Sequence, residues 1–113
     1  MQLTQQTISI LTQITVEAKN IFGNSLHSVL LYGSYARGDY DDESDMDIMI
    51  IVDLPREQLS AYKKPFLRLS SDLGLQHDIL ITITLKDQYT FEKYLDAVPF
   101  YQAVQKEGVA IAV

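Results

Sequence analysis

Gly33-Ser34-Tyr35-Ala36-Arg37-Gly38-Asp39-Tyr40-Asp41-Asp42-Glu43-Ser44-Asp45-Met46-Asp47-Ile48-Met49-Ile50 joins two apolar runs. The first, Val29-Leu30-Leu31-Tyr32, leads straight into Gly33-Ser34, and ten residues later Asp45 and Asp47 open the second. On a strand, side chains two apart share a face, which sets these two carboxylates about 7 Å apart along the chain. Like charges so placed repel, and a strand start rarely carries them for packing. A divalent cation between them removes the penalty, and an oxygen pair of this kind suits Mg²⁺. The Gly-Ser turn offers what a phosphate needs: close backbone approach, a hydroxyl, and amide groups at a helix start.

The string Gly33-Ser34-Tyr35-Ala36-Arg37-Gly38 with Ser44-Asp45-Met46-Asp47 resembles the signature of the polymerase-β-like nucleotidyltransferase superfamily. Within it, the chain looks most like the short minimal nucleotidyltransferases (MNT) that serve as antitoxins of HEPN-domain toxins. The motif covers residues 33–47, and the order of elements fits over most of the chain. The resemblance implies an α/β (α+β) fold, a small mixed β-sheet flanked by helices. It also implies a third acid on a following strand.

At 113 residues there is room for a single domain, 1–113, that buries roughly two-thirds of its unfolded surface. The absence of cysteine excludes disulfides, zinc-thiolate sites and thiol nucleophiles. No apolar run approaches the roughly 20 residues that span a bilayer, and the N-terminus lacks a signal-peptide pattern. A cytoplasmic protein with no membrane contact is expected. Nine Lys and Arg stand against fifteen Asp and Glu, a net charge of −6. Extended nucleic acid demands a basic footprint, so it is an unexpected substrate, whereas one Mg²⁺-neutralised nucleoside triphosphate remains compatible.

Periodicity predicts a helix over about 3–22, with Ile10, Ile14, Ala18 and Ile21 on one stripe and a stop at Gly23. Strands follow over 26–32 and 46–52, the second apolar on both faces, as in a strand covered on both sides. From Asp53 a helix with Leu59, Tyr62, Phe66, Leu69 and Leu73 ends at Gly74, and Pro65 is expected to kink or divide it. Gln76 to Thr84 alternates and is expected to be a third strand, with Asp78 at its start. Helices over 87–96 and from Pro99 to Gly108 come next, and 109–113 form an edge strand or tail.

If the third strand neighbours the second, about 4.8 Å away, Asp45, Asp47 and Asp78 come within reach of common metal ions. The alternative for Asp78 is a solvated acid after a turn. Arg37 offers phosphate a bidentate fork, or pairs with Asp39 or Asp41. The expected chemistry is Mg²⁺-dependent nucleotidyl transfer. Two Mg²⁺ ions sit on Asp45, Asp47 and Asp78, while Gly33, Ser34 and Arg37 hold the phosphates. By resemblance alone the donor is ATP and the acceptor a hydroxyl on a partner such as a HEPN toxin. Two alternatives stand: a binding module that neutralises its partner by contact, and transfer to a small-molecule hydroxyl. Tyr89, Phe100 and Tyr101 exceed what one helical stripe buries, so they mark either a docking surface or the core; an oligomer is possible.

Overall fold

The computed structural model describes residues 3–110, apart from the side chains of residues 107, 109 and 110. Helix α1, Gln5–Phe22, is capped by the Thr4 hydroxyl, which accepts the Thr7 N–H at 3.1 Å. Its stripe Ile10, Leu11, Ile14, Ala18 and Phe22 is buried, and Gly23 ends it at φ +55°. Strand β1 is Leu26–Tyr32, helix α2 the single turn Ser34–Arg37, and β2 Met46–Val52. A 3-10 stretch, Arg56–Tyr62, precedes α3, Lys63–His77. Strand β3, Ile81–Asp87, is followed by α4, Gln88–Lys93, α5, Pro99–Glu107, and β4, Val109–Ala110.

The sheet is mixed, in the order β3-β2-β1-β4. β1 is antiparallel to both β2 and β4, whereas β2 and β3 run parallel. A parallel pair needs a crossover, and α3 supplies it. Both faces are covered. Ile48, Ile50 and Val52 pack with α1 and α3, while Met49 and Ile51 pack with Phe91 of α4 and Val104 of α5. That explains why β2 is apolar on both sides.

The helix expected from Asp53 is divided near Pro65: a 3-10 stretch ends at Tyr62 and α3 starts at Lys63, with Pro65 in its first turn, where its missing N–H has no helical partner to lose. Two details depart from the sequence expectations. Gly74 does not stop the helix. The chain continues one more turn and ends at Asp78, whose φ of +56° is left-handed. Gly74 answers to space, because a Cβ there would come 2.7 Å from the Ile79 carbonyl oxygen. Consequently β3 begins at Ile81, and Asp78 caps a helix instead of opening a strand. The expected edge strand is present at Val109–Ala110; residues 111–113 lie outside the described residues.

Candidate active site

β1 delivers the chain into Gly33, whose φ of +77° favours glycine and turns it into α2. The Gly33 carbonyl accepts the N–H groups of Ala36 and Arg37, at 3.1 and 3.0 Å, and the Ser34 carbonyl accepts that of Gly38 at 2.8 Å. The turn therefore brings Ser34 and the α2 start beside β2. A Cβ on Gly33 would lie 2.8 Å from Asp47 Oδ2, so the turn and the carboxylate lie against each other.

Asp45 and Asp47 flank Met46 at the N-terminal end of β2. The Asp47 carboxyl is half-buried, and its pKa is pushed up first by burial and then by the charge of Asp45. This is the electrostatic signature of a pair that a cation would relieve. The donor set, two adjacent carboxylates with a hydroxyl nearby, fits Mg²⁺.

Two groups that sequence patterns passed over join them. Tyr32 is the register partner of Asp47 on β1 and Thr82 its partner on β3. Burial and the Asp47 charge raise the pKa of the Tyr32 hydroxyl, opposed by a hydrogen bond with the Thr84 side chain. The available signal was weak: Tyr32 is the one residue of its apolar run with a polar tip, immediately before Gly33. The Phe100 ring meets Tyr32 edge-on at 5.7 Å, so α5 roofs this face next to Asp47.

Asp78 does not stand beside Asp47 on a strand. It shares with Asp45 a cavity of about 570 Å³, also lined by Tyr35, Tyr40, Asp41, Asp42 and Glu43. Among the described residues, no three His, Cys, Asp or Glu side chains are grouped so as to hold one metal ion. Asp47 lies against Gly33 and within the field of Asp45, while Asp78 lies on the cavity wall. Its place there follows from the extra turn of α3.

Arg37 pairs with Asp39, Nε to Oδ2 at 3.1 Å, at an exposed turn. The acidic loop has its own order. Asp41 Oδ1 accepts the Glu43 N–H at 2.9 Å, and the Ser44 hydroxyl accepts the Asp41 N–H at 2.9 Å. Stacked Tyr35 and Tyr40, 4.1 Å between centroids, hold it against α2. Tyr101 lies against Phe91 at 5.2 Å with the Lys86 ammonium over its ring, so it closes the second core cluster. Phe100 and Tyr89 remain exposed.

Comparison with known proteins agrees with this geometry. Residues 13–109 match the family model described as nucleotidyltransferase domain. A Methanocaldococcus jannaschii protein with the provisional name protein adenylyltransferase is 33% identical over 97 residues, 85% of this chain and 95% of its own. A second from the same organism, with the same provisional name, is 30% identical over 90 residues, 80% of this chain and 82% of its own. Among solved structures, a toxin–antitoxin crystal structure with AMP-PNP superimposes with a TM-score of 0.52 at 17% identity. It covers 87% of this chain and 69% of that one, a likeness of fold. The chain belongs to the nucleotidyltransferase domain family.

Proposed function

We propose that this nucleotidyltransferase moves AMP from ATP to a hydroxyl of a partner protein, a HEPN-type toxin, and acts as its antitoxin. The observation that carries it is the contact of Gly33 with Asp47, which ties a phosphate-binding turn to a metal-type carboxylate pair. The provisional names of the relatives and the toxin–antitoxin assembly of the fold neighbour support the choice of acceptor.

Asp45 and Asp47 would hold Mg²⁺, which when bound neutralises the triphosphate and the departing pyrophosphate. Ser34 and the Gly33 backbone orient the β- and γ-phosphates, and Arg37 adds positive charge on that side. The acceptor oxygen bonds to the α-phosphorus as the bond to the β-phosphate oxygen breaks. Asp78, on the cavity wall, orients the acceptor hydroxyl and receives its proton. Positioning and charge supply the rate, since little covalent chemistry falls to the protein.

A second reading, neutralisation by contact with nucleotide bound but not transferred, draws on the lack of a three-acid grouping among the described residues. The experiment that separates them incubates the chain with α-labelled ATP, Mg²⁺ and the protein encoded beside its gene, followed by mass spectrometry of that protein. One or more added AMP groups on a side-chain oxygen support transfer. Nucleotide binding without any added mass overturns it in favour of the contact mechanism. Calorimetry with all four triphosphates tests the adenine preference.

A further inference from the structure

β3 is an outer strand of the sheet, and among the described residues no strand pairs with its free edge. The Met46 N–H bonds the Leu80 carbonyl at 2.8 Å, and Met46 is the register partner of Ile81. In a parallel ladder this sends the backbone groups of Leu80, Thr82 and Thr84 toward β2. The N–H and C=O groups of Ile81, Ile83 and Leu85 therefore point away from the sheet. Exposed edges are ordinarily blunted by proline, a bulge or charge. Ile81-Thr82-Ile83-Thr84-Leu85 has none of these; the charges of the strand, Lys86 and Asp87, stand at its C-terminal end.

Beside this edge lie exposed leucines, with Lys63 and Asp78 toward the two ends of the groove. Leu67 and Leu75 on α3 are 68% and 85% exposed, and Leu80 is 66% exposed. Two shallow cavities of about 450 and 550 Å³ share Leu67, Ser70 and Ile81 and run between α3 and β3. Contiguous apolar surface of this kind marks an interaction site.

We propose that this edge pairs with the same edge of a second copy of the chain. The strands would run antiparallel across a two-fold axis at Ile83, merging two four-stranded sheets into one.

The register itself argues for a second copy as occupant. An axis at Ile83 sets Ile83 against the second copy's Ile83, with Ile81 against its Leu85 and Leu85 against its Ile81. These are the residues whose backbone groups face outward, so each pair exchanges both bonds, about six in all. Thr82 falls opposite the second copy's Thr84, a favourable cross-strand pair. The side chains of Ile81, Ile83 and Leu85 all pack toward α1 and α3, so the merged sheet keeps its apolar face continuous. Charge agrees as well. The chain carries −6, which opposes self-association elsewhere, yet this five-residue segment carries no charge. Each copy's Leu67 then enters the cavity beside the other's β3. A closed isologous contact of this type adds no further open edge at β3.

The test uses the whole chain. Sedimentation equilibrium over a micromolar concentration series should give a species of twice 12.8 kDa. Amide exchange at Ile81, Ile83 and Leu85 should slow as concentration rises. Leu67→Glu, at an exposed site, should weaken the dimer at least tenfold with an unchanged melting temperature. Ile83→Pro removes an outward N–H and no ladder bond to β2, and should leave a folded monomer. If that variant does not fold, Leu67→Glu and the exchange pattern still decide. A parent that stays monomeric throughout, or a dimer indifferent to Leu67→Glu, overturns the proposal. So does a monomer whose three amides are protected only when another protein is added.

Discussion

Asp47 and Asp87 stand near opposite ends of one parallel ladder, Asp47 beside Thr82 and Asp87 beside Val52, and the fold treats their charges in opposite ways. Asp87 is only 3% exposed. Burial alone would raise its pKa, but hydrogen bonds from the Thr90 side chain and backbone, its own N–H and the charge of Lys86 bring it below the usual value. Its Oδ2 accepts the Thr90 N–H at 2.8 Å and caps α4. Asp47 is less buried, yet its carboxyl is pushed up by burial and by Asp45. One acid is stabilised by its surroundings and belongs to the architecture. The other is held at a cost, beside a glycine turn, which is where perturbed groups gather at functional sites.

The largest expected effect breaks that contrast from the functional side. Asp47→Asn should lower nucleotidyl transfer about a thousandfold, roughly 4 kcal/mol of transition-state stabilisation. Folding should not suffer, because the repulsion with Asp45 is relieved. Rates with labelled ATP and a thermal melt check both halves. A variant that transfers at near-parental rate removes Asp47 from the site; one that melts well below the parent makes it structural.

From the architectural side, Asp87→Ala should cost about 1–2 kcal/mol through loss of the cap. That is a fall of roughly 4–8 °C in melting temperature per kcal/mol for a domain near this size. Transfer by the folded fraction should stay within a few-fold of the parent, since Asp87 lies at the far end of the ladder. A hundredfold loss of transfer at unchanged stability would reverse the two roles.

The same contrast explains what could be read in the chain. The placement of Asp45, Asp47 and Gly33 was legible because it is local: a strand period of two, and a turn whose positive φ favours glycine. Asp87 was legible as a helix start. Asp78 was not, because the alternation from Gln76 to Thr84 mixes the last turn of α3 with a strand that begins at Ile81. Gly74 reinforced the error, since a glycine kept for close approach to Ile79 looks the same in sequence as one that ends a helix. Tyr32 and Thr82 were out of reach for a different reason. Their place beside Asp47 is a matter of register across three strands, which no local pattern encodes.

The smallest expected effect sharpens the comparison through pH. Both acids start from an unfolded value near 3.8. For Asp87 the folded value lies lower, so its charged form contributes stability above 3.8 that is lost as pH falls through the folded value. Asp87→Asn keeps a capping oxygen, so the parent's advantage over it should be constant near neutrality and vanish only below 3.8. For Asp47 the folded value lies higher, so its charge costs stability at neutral pH. The cost should fade as pH drops through that raised value and be gone below 3.8. The gain of Asp47→Asn over the parent should therefore shrink at a higher pH than the one where the Asp87 difference closes. Urea melts of the three proteins across the carboxylate range measure both differences. Two curves that close together at the same pH would mean that the ends of the ladder do not differ as their surroundings imply.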